Sequence, residues 1–202
     1  MMPHWHDGAL ATLAWDGAAP VVWRVPDPAG CRHHARSVRQ RLASALVAKL
    51  AALPVDRVRL ARSAAGAPIV TSPEGWYLGL SRRGAHALLG VATRPIAVDR
   101  ELVDAQPPLW DMLTPSEAHA VRALPVAAQP LAWLRRWTIK EAHAKLVGEP
   151  RRIAPEAIDT IVQDEVRATA SFEGVSNAWT RLVDGAIETM VLWSDRAPAG
   201  VR

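Results

Sequence analysis

Two acidic residues, Asp99 and Glu101, stand two positions apart at the end of a mostly apolar stretch that begins at Pro95. Alternation along a strand would project both carboxylates from the same face, a few ångströms apart. Mg²⁺ suits such a pair, because it takes oxygen ligands from one or two carboxylates and keeps sites for water and phosphate. A solvated strand end would carry the same two residues. The pair therefore predicts a metal site only together with other residues.

A second group of polar residues lies on a predicted helix over residues 131–146, which follows Pro130 and stops at Gly148. The aromatic end of one stripe would anchor this helix in a core, and its charged end would reach a cleft. An ordinary exposed ion pair would explain the charged end equally well. The i, i+4 series that forms the stripe is Trp133, Trp137, Glu141 and Lys145.

Lysine is rare in this chain, because only three of its 24 basic residues are lysines. Two of them, Lys140 and Lys145, fall within six positions, and a compact ammonium acts differently from a planar guanidinium. Lys140 would leave the helix about 100° from Glu141, which fits a structural or partner-facing role as well as a catalytic one. His143 lies off the stripe and is predicted to be a surface histidine. Arg100 should point to the opposite strand face, with no function assigned.

Two segments together resemble the paired signature of the 4′-phosphopantetheinyl transferase superfamily. The family pattern combines a G-V-D-x-E-like strand with a W-[ST]-x-K-E-[AS]-x-x-K helix. Residues 137–145 match the helix motif at every specified position. Residues 97–101 match the strand motif in both acids, with Ala97 where the family usually has glycine. The helix motif is a specific signal for this superfamily.

The resemblance extends over about residues 32–160. Residues 66–68 (G-A-P) stand where the larger, Sfp-like members have G-K-P, and residues 80–84 stand where they have S-H-S-G. The chain length resembles the two-lobed monomeric type. The resemblance implies an α+β fold built as a pseudo-twofold pair of similar lobes, residues 1–95 and 96–202, with the active site between them. It also implies a monomer.

By this resemblance, the chain is a holo-[acyl-carrier-protein] synthase that transfers the 4′-phosphopantetheine arm of coenzyme A to a carrier-protein serine and releases 3′,5′-ADP. Glu141 would accept the serine proton, and Lys145 would face the pyrophosphate as a catalytic and coenzyme-binding residue. The implied ligands of Mg²⁺ are Asp99, Glu101 and Glu141. The implied contacts of the 3′-phosphate are Ser81 and Arg82, assisted by Arg36 and Arg39.

Two departures from the family pattern affect coenzyme A binding. Ala67 stands in place of a lysine that the family uses near the 3′-phosphate, and Arg82 replaces a histidine used there. Arginine binds phosphate through a planar fork of donors, so Arg82 could bind the 3′-phosphate in place of that lysine. The resemblance therefore leaves the coenzyme A affinity and its pH dependence open.

Two other functions fit parts of the sequence. A family member without turnover would bind coenzyme A or a carrier protein, and the three departures at Ala67, Arg82 and Ala97 keep this alternative open. A basic nucleic-acid-binding protein would use its tryptophans for stacking, but Trp133 and Trp137 have the spacing of core residues. The basic residues are also dispersed, which argues against nucleic acid. The net charge of +4 would instead steer an acidic carrier protein toward the chain.

The composition is that of a globular protein, with half of its 202 residues apolar and 22% charged. Its start lacks the pattern of a secretory leader, and no apolar run approaches about 18 residues, so we expect a cytoplasmic protein with no membrane partner. The single cysteine, Cys31, excludes an internal disulfide. Hydrophobic patterns predict a helix over residues 32–53 and strands that include residues 9–15 and 21–25.

Overall fold

The computed structural model describes residues 2–27, 32–64, 66–104 and 107–195; Cys31 lies outside them. The chain divides into two compact units, Met1–Val98 and Asp99–Arg202. Each unit combines a long helix with β-sheet, so the expected α+β class is confirmed. In these described ranges, every helix is too short or too polar to cross a membrane.

The first unit places one long helix against a four-stranded sheet with the strand order β1-β2-β6-β5. Strands β3 and β4 form a separate hairpin. Leu46 and Val47 of the helix are fully buried in a core with Val21 and Leu89 of the sheet. The elements are β1 His4–His6, β2 Val21–Pro26, α1 Arg32–Leu50, β3 Arg59–Arg62, β4 Pro68–Ser72, β5 Tyr77–Arg83 and β6 His86–Ala92.

The strand predicted over residues 9–15 is wrong. This segment contains a short 3-10 helix, Leu10–Thr12, and the first strand lies earlier, at His4–His6. The carbonyl of Ala9 accepts hydrogen bonds from the His6 ring at 2.9 Å and from the Thr12 hydroxyl at 2.8 Å. Because these local side-chain bonds engage the backbone, they compete with strand pairing.

The second unit packs its longest helix on a five-stranded sheet with the order β7-β11-β10-β9-β8. The elements are β7 Ile96–Leu102, α2 Pro115–Arg122, α3 Gln129–Val147, β8 Asp159–Val162, β9 Arg167–Ser171, β10 Val175–Val183 and β11 Ala186–Trp193. Helix α3 ends as predicted at Gly148, whose φ of 103° is in the left-handed region that glycine tolerates. The Gly148 N–H donates to the Ala144 carbonyl at 3.1 Å.

The two units share a chain order. In each, a strand leads to a 19-residue helix, and antiparallel strands follow it. The strand before the helix pairs with the last strand of its unit, β2 with β6 and β7 with β11. The internal topology of the two units is therefore similar, and the pseudo-twofold relation between them stays a prediction.

The first residues of β7 pack closely against a pair of glycines. Gly79 of β5 and Gly90 of β6 are register partners, so they form a patch without side chains on one sheet face. A Cβ at Gly79 would lie 3.1 Å from the Cα of Ala97, and one at Gly90 would lie 2.6 Å from Cγ1 of Val98. Only glycine allows this close approach without a shift. The pair thus makes room for Ala97 and Val98 at the end of the first unit.

Candidate active site

The predicted acidic ligands lie on β7 as the sequence suggests. The Asp99 carboxylate is buried, with only 4% of its side chain exposed, and Glu101 is half-buried. The Lys145 ammonium on α3 donates a hydrogen bond to Asp99 Oδ1 at 2.6 Å. This contact joins two parts of the sequence that are 46 residues apart and brings two predicted site residues together.

The third predicted ligand, Glu141, is half-buried on the same helix one turn before Lys145. Burial raises the pKa of Glu141 above its usual value, and the negative charges of Asp99 and then Glu101 raise it further. Lys145 acts in the opposite direction. The three carboxylates are therefore close enough to repel one another, and a raised pKa makes Glu141 a stronger base than an exposed glutamate.

The aromatic end of the same stripe anchors α3. Trp133 and Trp137 stack with ring centres 5.9 Å apart, and Trp133 is buried in the core of the second unit. The Trp133 indole N–H donates to the carbonyl of Leu109 at 3.0 Å. Since these contacts fix one end of the helix, the position of Glu141 and Lys145 two turns later is also restricted.

Lys140 has a structural role. Its side chain is 1% exposed, and its ammonium lies 2.6 Å from Glu117 Oε2. It also donates to the carbonyls of Pro155 at 2.9 Å and Ile158 at 2.5 Å. Burial lowers the pKa of Lys140, while Glu117 opposes that shift. Glu117 in turn accepts the backbone N–H of Thr160, so this ion pair ties α3 to α2 and β8.

The prediction that His143 lies on the surface is wrong, because its side chain is fully buried. The Nε2–H donates to the carbonyl of Phe172 at 2.9 Å, and Nδ1 pairs with the Ser176 hydroxyl at 2.8 Å. The ring also meets Trp193 edge-on, with centres 5.6 Å apart. Burial lowers the pKa of His143. The residue therefore belongs to the packing between α3 and the sheet.

Arg100, which had no predicted function, forms part of a buried charge network. Its guanidinium pairs with Glu188 of β11, and Arg181 of β10 contacts the same carboxylate at 2.7 Å. Glu188 is fully buried, and the next residue, Thr189, bonds to Thr138 of α3. Alternation thus places Arg100 and Glu188 on the sheet face away from α3. The network holds β7 against its neighbours from the side opposite to Asp99.

Three of the four residues predicted to hold the 3′-phosphate line one cavity in the first unit. Arg36 and Arg39 on α1 and Arg82 on β5 face this cavity of about 520 Å³, a volume typical of ligand pockets. Arg36 and Arg39 share a helix face because they are three positions apart. Sequence reasoning missed Arg62 of β3 and Gln40 of α1, which also line it. The i, i+4 spacing from Arg36 could have indicated Gln40.

Ser81 is placed differently from Arg82. The β5 residues that line the cavity are Leu78, Leu80 and Arg82, so alternation directs the Ser81 side chain to the other sheet face. Ser81 is buried, with 7% of its surface exposed. A phosphate contact through its hydroxyl stays a prediction.

One acidic residue, Asp27, organises two of the cavity arginines. It accepts a hydrogen bond from Arg39 at 2.5 Å, and Arg82 lies 3.8 Å from its second oxygen. The side chains of Asp27 and Arg39 are each only 10% exposed, whereas that of Arg82 is 55% exposed. Arg39 is therefore held in place, and Arg82 has room to reorient toward an anion.

The carboxylates and Lys145 of this α+β protein all lie in a segment that the family comparison matches. The model of the 4′-phosphopantetheinyl transferase superfamily matches residues 95–189. Residues 95–189 thus resemble the domain of that superfamily, with Asp99, Glu101, Glu141 and Lys145 inside the matched segment, and the match supports a phosphopantetheine transferase kind of activity. A search of curated proteins found no match to the chain.

The donor set suits Mg²⁺, since three carboxylates that repel one another supply the oxygen ligands and the negative charge that this cation prefers. Two observations limit the fit. Lys145 already engages Asp99 Oδ1. Within the described ranges, no three histidine, cysteine, aspartate or glutamate side chains are arranged to hold a metal. The magnesium site therefore stays a prediction whose ligands would have to adjust.

Proposed function

We propose that the chain transfers the 4′-phosphopantetheine arm of coenzyme A to a serine of an acyl or peptidyl carrier protein and releases 3′,5′-ADP. The observation that carries the proposal is the group formed by Asp99, Glu101, Glu141 and Lys145 within the segment that matches the superfamily. Its acids can hold a cation and accept a proton, and its ammonium can face a phosphate.

In this proposal, Glu141 accepts the proton of the carrier serine as the serine oxygen bonds to the β-phosphorus of coenzyme A. Its raised pKa favours that role. The bond from that phosphorus to the bridging oxygen breaks, and the electron pair leaves with 3′,5′-ADP. Transfer of this kind needs mainly positioning and charge neutralisation.

Lys145 neutralises charge on the pyrophosphate. Its ammonium is already held in the site by Asp99, and its side chain is 28% exposed, so it can also reach a bound anion. Lysine suits this role as a compact point charge.

Asp99, Glu101 and Glu141 would hold Mg²⁺. When bound, that ion would neutralise charge on the phosphate oxygens. Holding the cation also requires Lys145 to share or release Asp99, which couples metal binding to the position of the lysine.

The 3′-phosphate is assigned to the arginine cavity of the first unit. Arg36, Arg39 and Arg82 supply charged donors there, and guanidinium groups bind phosphate with paired hydrogen bonds. The net charge of +4 would favour the approach of an acidic carrier protein.

The first prediction concerns the proposed base. Glu141→Gln should lower the rate of 3′,5′-ADP release at least about 100-fold, because the amide cannot accept the serine proton. Release is measured by liquid chromatography with coenzyme A, Mg²⁺ and an apo carrier protein that the unmodified protein accepts.

Glu149→Gln is the matched control, since that glutamate is 56% exposed just beyond the same helix and pairs with Arg152. Its rate should stay within about twofold of the unmodified protein, as expected for a weak surface pair. A Glu141→Gln variant that keeps the full rate would remove Glu141 from the chemistry.

A further inference from the structure

The ammonium of Lys145 occupies an oxygen that the proposed magnesium site would use. It donates a hydrogen bond to Asp99 Oδ1 at 2.6 Å, a short distance for an ammonium and a carboxylate. Because only 4% of the Asp99 side chain is exposed, salt in the solvent screens this contact weakly. A metal ion that binds Asp99 through this oxygen has to share it with the lysine or displace the lysine.

The positive charge of Lys145 acts on Glu141 as well as on Asp99. Burial raises the pKa of Glu141 most, the charges of Asp99 and Glu101 raise it further, and the charge of Lys145 lowers it. The ammonium thus already offsets part of the repulsion among the three carboxylates, as a divalent cation would. Since like charges repel, an ammonium held at this position lowers the affinity of the carboxylates for a metal ion.

The Lys145 side chain can leave Asp99 without a movement of its helix. It is 28% exposed, and lysine carries its charge on a flexible four-carbon stem. The helix around it is held in place, because Ala142 and Ala144 are buried and Lys140 is paired with Glu117. The competition is therefore resolved by rotation of one side chain, provided that another anion receives the ammonium.

A diphosphate is the chemical group that fits this requirement. Its oxygens can accept the Lys145 ammonium, and phosphate oxygens are also ligands that Mg²⁺ takes beside one or two carboxylates. One group can thus draw the lysine away from Asp99 and complete the coordination of the cation.

We propose that Lys145 is an internal counter-ion of Asp99 that competes with Mg²⁺, so that the site binds the cation tightly only together with a diphosphate. This inference rests on the proposed function, in which coenzyme A brings the diphosphate. It adds a rule for binding: Mg²⁺ and the diphosphate each strengthen the binding of the other, because both gain when the lysine changes partner.

The test is titration of the full chain with Mg²⁺ alone, followed by isothermal titration calorimetry. Lys145→Met removes the charge and keeps an unbranched side chain, so it should bind Mg²⁺ at least about 10-fold more tightly than the unmodified chain. Lys145→Arg keeps the charge and should stay within about twofold of the unmodified chain. Adding Asp99→Asn to Lys145→Met should abolish the gain, because the amide carries no charge for the cation.

Lys49→Met is the matched control, because it removes the same charge from an exposed lysine of α1 that bonds to the Ala11 carbonyl. It should bind Mg²⁺ as the unmodified chain does. An equal gain in Lys49→Met would assign the effect to net charge, and a gain in Lys145→Arg would assign it to packing. Either result, or a Lys145→Met variant that binds Mg²⁺ no more tightly than the unmodified chain, would overturn the inference.

A second titration with Mg²⁺ contains saturating coenzyme A. The difference between Lys145→Met and the unmodified chain should shrink to about twofold or less, because the diphosphate then receives the ammonium. A difference that stays at 10-fold would contradict the exchange of partners. If the unmodified chain binds no coenzyme A, the proposed function and the role of the diphosphate fail, whereas the competition between Lys145 and Mg²⁺ is decided by the first titration.

Discussion

At the scale of single residues, the two lysines of α3 belong to one motif but lie in different environments. Lys140 is buried against Glu117 and two backbone carbonyls, whereas Lys145 lies partly exposed on Asp99. Burial directs the Lys140 ammonium entirely into the protein. The W-T-I-K-E-A-H-A-K segment therefore stabilises the helix position with Lys140 and presents Glu141 and Lys145 to the candidate site.

The Lys140 ion pair gives a stability prediction. Lys140→Met should lower the free energy of unfolding by about 3–5 kcal/mol, because it leaves the Glu117 carboxylate buried without its cation. Urea denaturation followed by circular dichroism measures the change. The double variant Lys140→Met with Glu117→Gln should lose less than the sum of the two single changes, since neither charge then remains buried alone. A loss below about 1 kcal/mol in Lys140→Met would contradict a buried pair.

His143 shows where sequence reasoning fails at this scale, and Lys140 shows where it leaves two roles open. Their predicted roles depend on their angle on a helix that is expected to have a solvent-exposed side. Buried residues lie on several sides of α3, including Trp133, Ile139, Lys140 and His143. A helix packed on more than one side buries polar residues, which then need partners elsewhere in the chain. Glu117 and Phe172 are those partners, and their distance along the sequence hides them.

At the scale of elements, β7 is positioned by its neighbours. The Gly79 and Gly90 pair admits the backbone at Ala97 and Val98, and the buried network of Arg100 with Glu188 holds the following residues. Asp99 lies between these two contacts. Strand β7 is thus held by backbone packing at Ala97 and Val98 and by the buried ion pair at Arg100.

The glycine pair gives a second stability prediction. Gly90→Ala should destabilise the protein by about 1–3 kcal/mol, because the new methyl group would lie 2.6 Å from Cγ1 of Val98 and force a shift. Thermal and urea unfolding measure the change. Adding Val98→Ala removes the clashing atom, so the double variant should lose less than the two single changes added together. An additive result would mean that Gly90 and Val98 do not contact.

The ends of helices and strands are predicted best where proline or glycine marks them. Pro130 lies in the first turn of α3 and Gly148 follows its last residue, and the structure places the helix ends at Gln129 and Val147. The prediction for the segment around Leu10–Thr12 is wrong because alternation of alanines carries little packing information and local hydrogen bonds decide its shape. The turn between β3 and β4 is expected from Gly66 and Pro68, but the place of Arg62 in the cavity is visible only in the folded structure.

At the scale of the molecule, the sequence supports both the α+β class and the family, because a helix motif of nine residues is specific and lies in the matched segment. The repeated order of strand, long helix and strands in both units could not be established from alternation alone. It requires knowing that β2 pairs with β6 and β7 with β11, which are contacts between residues far apart in the chain.

The sequence also predicts some parts of the candidate site better than others. Asp99, Glu101, Glu141 and Lys145 are found from spacing and motif because each lies on one regular element. The arginine cavity is found only in part, because its lining comes from α1, the β3-β4 hairpin and β5. Residues that meet only in the folded chain leave no short motif in the sequence.

Intact-mass spectrometry of apo carrier proteins measures directly whether the chain transfers the phosphopantetheine arm. Carrier proteins are incubated with the full chain, coenzyme A and Mg²⁺, beside Glu141→Gln, Glu149→Gln and a carrier whose serine is replaced by alanine. A carrier should gain the mass of one phosphopantetheine arm with the unmodified chain and with Glu149→Gln. That gain should be absent with Glu141→Gln, with the serine-free carrier and after chelation of the metal. Binding of coenzyme A with no mass gain on any carrier would contradict transfer and favour a binding protein.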